Sequence, residues 1–224
     1  MPSGGAFKWA IRQEKLLFPI KAGIHTINPN FAAIMKKNIA IFASGEGTNA
    51  QRIMDHFKNS DVARVALVVS NKADANVLNR AAKAGIPAYV TGRNSFYEGT
   101  ETVERLRAAN IDLIVLAGFL WMIPDSLIKA YPGRIVNIHP ALLPKFGGKG
   151  MYGMNVHRAV IEAKEKESGI SIHYVNEQYD EGEIIAQHTC GISENDSPEQ
   201  LAQKIRELEH EFFPVTIERI LRSL

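Results

Sequence analysis

Short apolar runs that alternate with amphipathic stretches set the tightest limit on what this chain can fold into. Residues 39–43, 65–69, 111–116 and 134–138 are brief, apolar and rich in β-branched side chains, so each reads as a buried strand. Between them the apolar residues change period. Ala50, Ile53, Met54 and Phe57 recur at helical spacing, and so do Val77, Leu78, Ala81 and Ala82. Asp74 is placed to cap the second of these helices, and Gly85 to stop it before Pro87. Tyr89 and Val90 form a weak further strand, a helix through Val103 and Leu106 ends near Asn110, and a short helix covers 124–130. Strands that alternate with helices predict an α/β fold: an open, mostly parallel, doubly wound sheet covered on both faces.

The tail changes style. Residues 169–175 and 183–190 are two strands joined by a seven-residue loop, which predicts a C-terminal antiparallel hairpin. Ser197-Pro198-Glu199-Gln200 is a capping box with proline at the first helical position, and the helix it opens carries Leu201, Ile205, Leu208 and Phe212. Residues 1–34 hold Gly4-Gly5, Pro19 and Pro29 with no sustained period, and Met35-Lys36-Lys37-Asn38 then runs straight into a strand. We therefore expect 1–34 to be an extension outside the fold and 35–224 to be a single domain.

The balance of 26 Lys+Arg against 24 Asp+Glu leaves a formal charge of +2, too small to point to nucleic acid or a membrane surface. No stretch approaches the roughly 20 apolar residues of a membrane span. The one cysteine, Cys190, has no internal partner, so a reducing, cytoplasmic setting is expected. As a small strand residue it reads as core. His157, His173, His188 and His210 show no ligand spacing, and no metal is expected.

Ser44-Gly45-Glu46-Gly47-Thr48-Asn49 lies between the first strand and the first helix. Backbone N–H groups at a helix start point outward, and the helix dipole favours an anion there. The two glycines allow close approach, while Thr48 and Asn49 offer side-chain donors. The same residues would also serve as a tight turn without a ligand. Gly45, Gly47 and Ala50 fit the G-x-G-x-x-A form of the dinucleotide fingerprint, but the second strand ends Val69-Ser70-Asn71-Lys72 with no acid to hold a ribose. That argues against a nicotinamide cofactor.

In Ile135-Val136-Asn137-Ile138-His139-Pro140, strand alternation puts Val136 and Ile138 on one face and Asn137 and His139 on the other. The pair sits at the carboxyl end of a strand, where open α/β sheets hold ligands. An amide donor beside an imidazole suits a developing oxyanion, as in acyl transfer through a tetrahedral intermediate. A histidine on a strand is also commonly a hydrogen-bonded core residue. Asp180, in the loop Gln178-Tyr179-Asp180-Glu181-Gly182, could orient His139 or could simply serve a hairpin turn.

Taken in order, these segments, with Ser70-Asn71-Lys72-Ala73-Asp74, Leu116-Ala117-Gly118-Phe119 and Leu142-Leu143-Pro144, resemble the folate-dependent phosphoribosylglycinamide formyltransferase family from about Met35 to Leu221. The resemblance implies the formyltransferase fold and a soluble enzyme, monomer or homodimer, acting on small molecules. The co-substrate would be 10-formyltetrahydrofolate and the acceptor the amine of glycinamide ribonucleotide. It implies catalytic roles for Asn137 and His139 at the oxyanion, with Asp180 supporting His139 and proton transfer. Gly47, Thr48, Asn49 and Glu209 match ribotide-contacting positions. Leu120, Trp121, Met122 and Ile123, with Asn137 and the loop Asn176, Glu177, Gln178, Tyr179 and Asp180, match the folate pocket. Read locally, Trp121 and Met122 could be ordinary core and Glu209 a solvated helix charge. His157 and His173 match family histidines with supporting roles.

The chain also departs from the family. Ala141 stands where a serine is usual, and Trp121 where an arginine is common. No arginine stands near residues 96–101, Arg93 being the nearest. After Phe146 the family's short Pro-Gly turn and its following histidine give way to Gly147-Gly148-Lys149-Gly150-Met151-Tyr152-Gly153-Met154-Asn155, a candidate lid beside the catalytic turn. Two sister enzymes fit less well: methionyl-tRNA formyltransferase would add a basic C-terminal domain, and formyltetrahydrofolate hydrolase an N-terminal regulatory one. A dinucleotide-sensing module without chemistry would lack a use for Asn137 and His139.

Overall fold

A computed structural model describes residues 36–224. The expected extension, 1–34, lies outside the described residues. The first strand, β1 (Lys37–Phe42), leads through the glycine loop into α1 (Thr48–Phe57). Then come β2 (Ala63–Ser70), α2 (Asn76–Lys83), β3 (Ala88–Val90), α3 (Arg93–Tyr97), α4 (Glu101–Ala108) and β4 (Leu113–Leu116). The second half adds α5 (Asp125–Ala130), β5 (Ile135–His139), α6 (Met154–Glu162), β6 (Glu167–Tyr174), β7 (Ile184–Gly191) and α7 (Pro198–Ser223).

The seven strands form one sheet in the order β3-β2-β1-β4-β5-β6-β7. From β3 to β5 all pairings are parallel, and β6 and β7 each pair antiparallel with the preceding strand. The expected doubly wound sheet with its antiparallel end is thus present. Alternation along β1 divides the core in two. Ile39 and Ile41 pack with Ile53 of α1, Val77 of α2, Val156 of α6 and Phe213 of α7. Ala40 and Phe42 pack with Phe96 of α3, Leu106 of α4 and Leu127 of α5. Because the strand order reverses at β1, the loops after β1 and β4 diverge and leave a crevice at their carboxyl ends.

Several boundaries differ from the sequence reading. Asp74 does not cap α2: the cap position is Ala75, in extended conformation, with no side-chain cap bond. The helix start is instead tied to the glycine loop, where the Val77 N–H donates to the Gly45 carbonyl at 3.1 Å. β4 begins at Leu113, because Asn110 takes a positive φ of 49° and Ile111 still bonds back to Leu106. Two helices went unpredicted. Five-residue α3 is too short to display a period, and α6 starts at Met154 inside a stretch whose glycines mask its apolar spacing. The capping box of α7 forms as expected, Ser197 Oγ accepting from the Gln200 N–H and Gln200 Oε1 from the Ser197 N–H.

Candidate active site

The glycine loop owes its shape to close packing. Gly47 has φ +69° at the cap position of α1, and a Cβ there would lie 2.7 Å from Val77 Cβ. Only glycine meets both demands. The loop's carbonyls face α2: Gly45 accepts from Val77, and Glu46 accepts from Arg80 Nε at 2.7 Å. The first turn of α1, carrying Thr48 and Asn49, is left to line a cavity of about 770 Å³. Ser44 ties this loop to the next wall, its Oγ accepting from the Leu120 N–H at 2.9 Å. Leu120, Trp121, Met122 and Ile123 all line the same cavity.

At the end of β5, Val136 and Ile138 enter the core with α1, α6 and α7, while Asn137 and His139 face the other way. Four side chains from three segments of the sequence meet there. Asp180 Oδ2 lies 3.5 Å from His139 Nδ1, and Asp180 Oδ1 lies 3.5 Å from Asn137 Nδ2. His173 of β6, paired across the ladder with Asn137, completes the group. Its Nδ1 sits 2.8 Å from the Tyr174 carbonyl and so carries the hydrogen. Its Nε2 lies 3.1 Å from Asn137 Nδ2 and 3.6 Å from Asp180 Oδ1. Both hydrogens of the Asn137 amide are directed into this cluster, and the long contact to Asp180 is the weaker one.

His139 is also held at its other nitrogen, Nε2 lying 2.8 Å from the Phe146 carbonyl. Burial pushes the His139 imidazole below its ordinary pKa, with the Asp180 carboxylate opposing. For Asp180, burial alone would favour the neutral acid, but the contacts from His173, His139 and the Gly148 N–H override it and hold the carboxyl below its usual range. Near neutral pH the pair is therefore an uncharged imidazole facing a carboxylate, with one net negative charge.

The far wall is α7. Ala202, Ile205, Arg206 and Glu209 form a stripe at helical spacing along the cavity. Asn49 Nδ2 donates to Glu209 Oε2 at 2.9 Å, and burial raises the Glu209 pKa despite that donor. Arg206 was not singled out in the sequence, although its place one turn before Glu209 on the same face was the available signal. Lys149, Tyr152 and His157 also line the cavity, and His157 Nδ1 and Asn49 Oδ1 are buried without a partner among the described residues. From the loop after β6, Asn176, Gln178, Tyr179 and Asp180 contribute. Glu177 does not: the Gln178 N–H donates to Asn176 Oδ1 in a tight turn that leaves Glu177 exposed and outside the wall. Arg93 is not among the residues that line the cavity: its guanidinium lies over the Tyr97 ring at 5.3 Å and 6.0 Å from the ring of Trp121, which does line it. Among the described residues no group of three or more His, Cys, Asp or Glu is placed to hold a metal ion.

A doubly wound sheet with an amide, an imidazole and a carboxylate gathered at its switch crevice defines a class of group-transfer proteins. Residues 37–217 match the family model described as Formyl transferase, and the chain belongs to that family. Its relatives place it more narrowly. It is 39% identical over 191 residues to the phosphoribosylglycinamide formyltransferase of Bacillus subtilis, covering 83% of this chain and 95% of that protein. It is 42% identical over 184 residues to the chloroplastic phosphoribosylglycinamide formyltransferase of Arabidopsis thaliana. That match covers 80% of this chain, which spans 63% of the length of the plant protein. Among solved structures, glycinamide ribonucleotide transformylase 1 from Symbiobacterium toebii superposes with a TM-score of 0.77 at 35% identity, over 84% of this chain and 89% of that one. The phosphoribosylglycinamide formyltransferase of Bacillus halodurans gives 0.75 at 39% identity, over 83% and 95%.

Proposed function

We propose that this chain transfers the formyl group of 10-formyltetrahydrofolate to the amine of glycinamide ribonucleotide, giving N-formylglycinamide ribonucleotide and tetrahydrofolate on the route to IMP. The observation that carries this reading is the convergence of Asn137, His139 and Asp180 on one cavity that also runs past the Gly47–Thr48–Asn49 turn. Each end has a matching chemistry. The N-terminus of α1 and Arg206 suit a phosphate, and Glu209 suits a ribose hydroxyl. The apolar wall of Leu120, Trp121, Met122 and Ile123 suits a pterin ring.

In this reading the amine attacks the formyl carbon and the carbonyl electrons move to oxygen. Asn137 donates to that oxyanion by giving up its 3.5 Å contact with Asp180. His139 serves the oxyanion only if its Nε2–H leaves the Phe146 carbonyl. The attacking nitrogen loses a proton and the folate N10 gains one as the C–N bond to the folate breaks. The His139–Asp180 pair supports that transfer, because a proton on Nδ1 is neutralised by the adjacent carboxylate.

Residues 35–224 form the catalytic domain in this proposal, residues 1–34 lie outside it, and the protein acts in the cytoplasm as a monomer or homodimer. No helix among the described residues is long and apolar enough to cross a membrane. The deciding experiment is a formyl-transfer assay with both substrates. Turnover is expected; none, with tight nicotinamide dinucleotide binding instead, would sink the reading.

A further inference from the structure

The Gly-rich segment after Phe146 touches both members of the acid–base pair through its backbone. The Phe146 carbonyl is 2.8 Å from His139 Nε2, and the Gly148 N–H donates to Asp180 Oδ2 at 2.9 Å. One turn, two residues apart, thus supplies an acceptor to the imidazole and a donor to the carboxylate. The Phe146 carbonyl and the Asp180 carboxylate both only accept, but the carbonyl is the nearer at 2.8 Å against 3.5 Å, so the single ring hydrogen of neutral His139 sits on Nε2 and the lone pair on Nδ1. That lone pair faces the same Asp180 oxygen that Gly148 holds, at 3.5 Å. Positive φ values at Phe146 (56°) and Gly148 (93°) bend the chain so that both groups reach inward.

Between them Gly147 is pressed against the site. A Cβ there would lie 2.6 Å from Leu143 Cδ2, 3.3 Å from Asp180 Cβ and 3.7 Å from Asp180 Oδ2. Its φ is not in the left-handed region, so space, not backbone conformation, excludes a side chain. This segment is also where the sequence leaves its family's pattern.

We propose that the Phe146–Gly148 turn is the positioning element of the His139–Asp180 pair, fixing His139 in its Nε2–H tautomer and requiring glycine at 147 so that the turn can close on Asp180. Gly147 acts through other residues and touches no reacting atom. The kinetic half of the proposal rests on the formyl-transfer reading above, and the tautomer half does not.

Two measurements test it. In the full chain with 15N-labelled histidine, NMR at neutral pH should show His139 protonated at Nε2 and bare at Nδ1. The opposite tautomer overturns the proposal whether or not the protein transfers formyl groups. For Gly147→Ala, kcat should fall about 10- to 100-fold, as expected for a slightly misplaced catalytic group. KM for both substrates should stay within about threefold. Losing the Gly148 donor raises the Asp180 pKa, so the part of the acidic limb of the kcat profile that follows Asp180 protonation should move to higher pH. Wild-type kcat, or a loss of kcat with an unmoved limb, overturns the proposal. If the single variant folds poorly, Leu143→Val/Gly147→Ala removes the methyl that the new Cβ meets and retains the 3.3 Å approach to Asp180, with the same expected shift.

Discussion

Asp180 combines a carboxylate that two histidines and an amide approach with a backbone φ of 55°, a region that aspartate and asparagine tolerate better than most residues. Asp180→Asn therefore keeps both the shape and the backbone preference and removes only the charge. We expect it to lower kcat by about 10²- to 10⁴-fold in a protein that still folds, with a melting temperature somewhat below that of the unmodified protein because the contacts that favour the carboxylate are lost. Steady-state kinetics and a thermal melt on the same sample check both halves, and a near-normal rate would remove Asp180 from the mechanism. At this scale the sequence was partly legible. Period-two alternation alone placed Asn137 and His139 on one face, because a strand leaves no other option. It could not show that Asp180 reaches them, since that contact depends on how β6 returns antiparallel beside β5. Nor could it show that His173 holds the Asn137 amide, which follows from the register of that pairing. The backbone groups of Phe146 and Gly148 have no side-chain signature at all.

Among the elements, α7 does two jobs with separate residues. Its stability begins with the Ser197–Gln200 capping box, and Ser197→Ala should cost about 1 kcal/mol, read from the urea midpoint with activity per folded molecule unchanged. Its cavity face carries Arg206 and Glu209. If the proposed function holds, Arg206→Ala should raise KM for the ribotide by about tenfold or more and leave kcat within about threefold, because a cation that holds the phosphate contributes equally to ground and transition states. A fall in kcat at unchanged KM would place Arg206 elsewhere in the reaction. Long elements with a marked period, α1 and α7, were readable in advance. Short or glycine-flanked ones, α3 and α6, were not, and Asp74 misled because the loop before it, not its own side chain, anchors α2.

For the molecule as a whole, pH acts chiefly through histidines kept neutral. His139, His157, His188 and His210 are all pushed below their ordinary pKa, burial being the first cause in each. A depressed native pKa means the unfolded chain takes up the proton first. Stability is then complete above about pH 6.5 and is lost as pH falls from there toward the native values. Asp180, depressed as well, adds a further loss at more acidic pH, while Glu209, raised by burial, works in the opposite sense. Urea midpoints at pH 8 and pH 5.5 should differ, the lower pH being the less stable; equal midpoints would contradict the sign. The alternation of apolar runs made the parallel sheet legible because buried strands and amphipathic helices differ in period. The cavity was legible only as separate loops. The end proposed to take the ribotide is bridged by a hydrogen bond between Asn49 and Glu209, 160 residues apart. During synthesis the ribosome releases α1 long before α7, so a nascent chain holds one half of that wall with nothing opposite it. Substrate can steady the protein only once translation has finished the last helix, and the ribotide should not rescue chains stalled before residue 198.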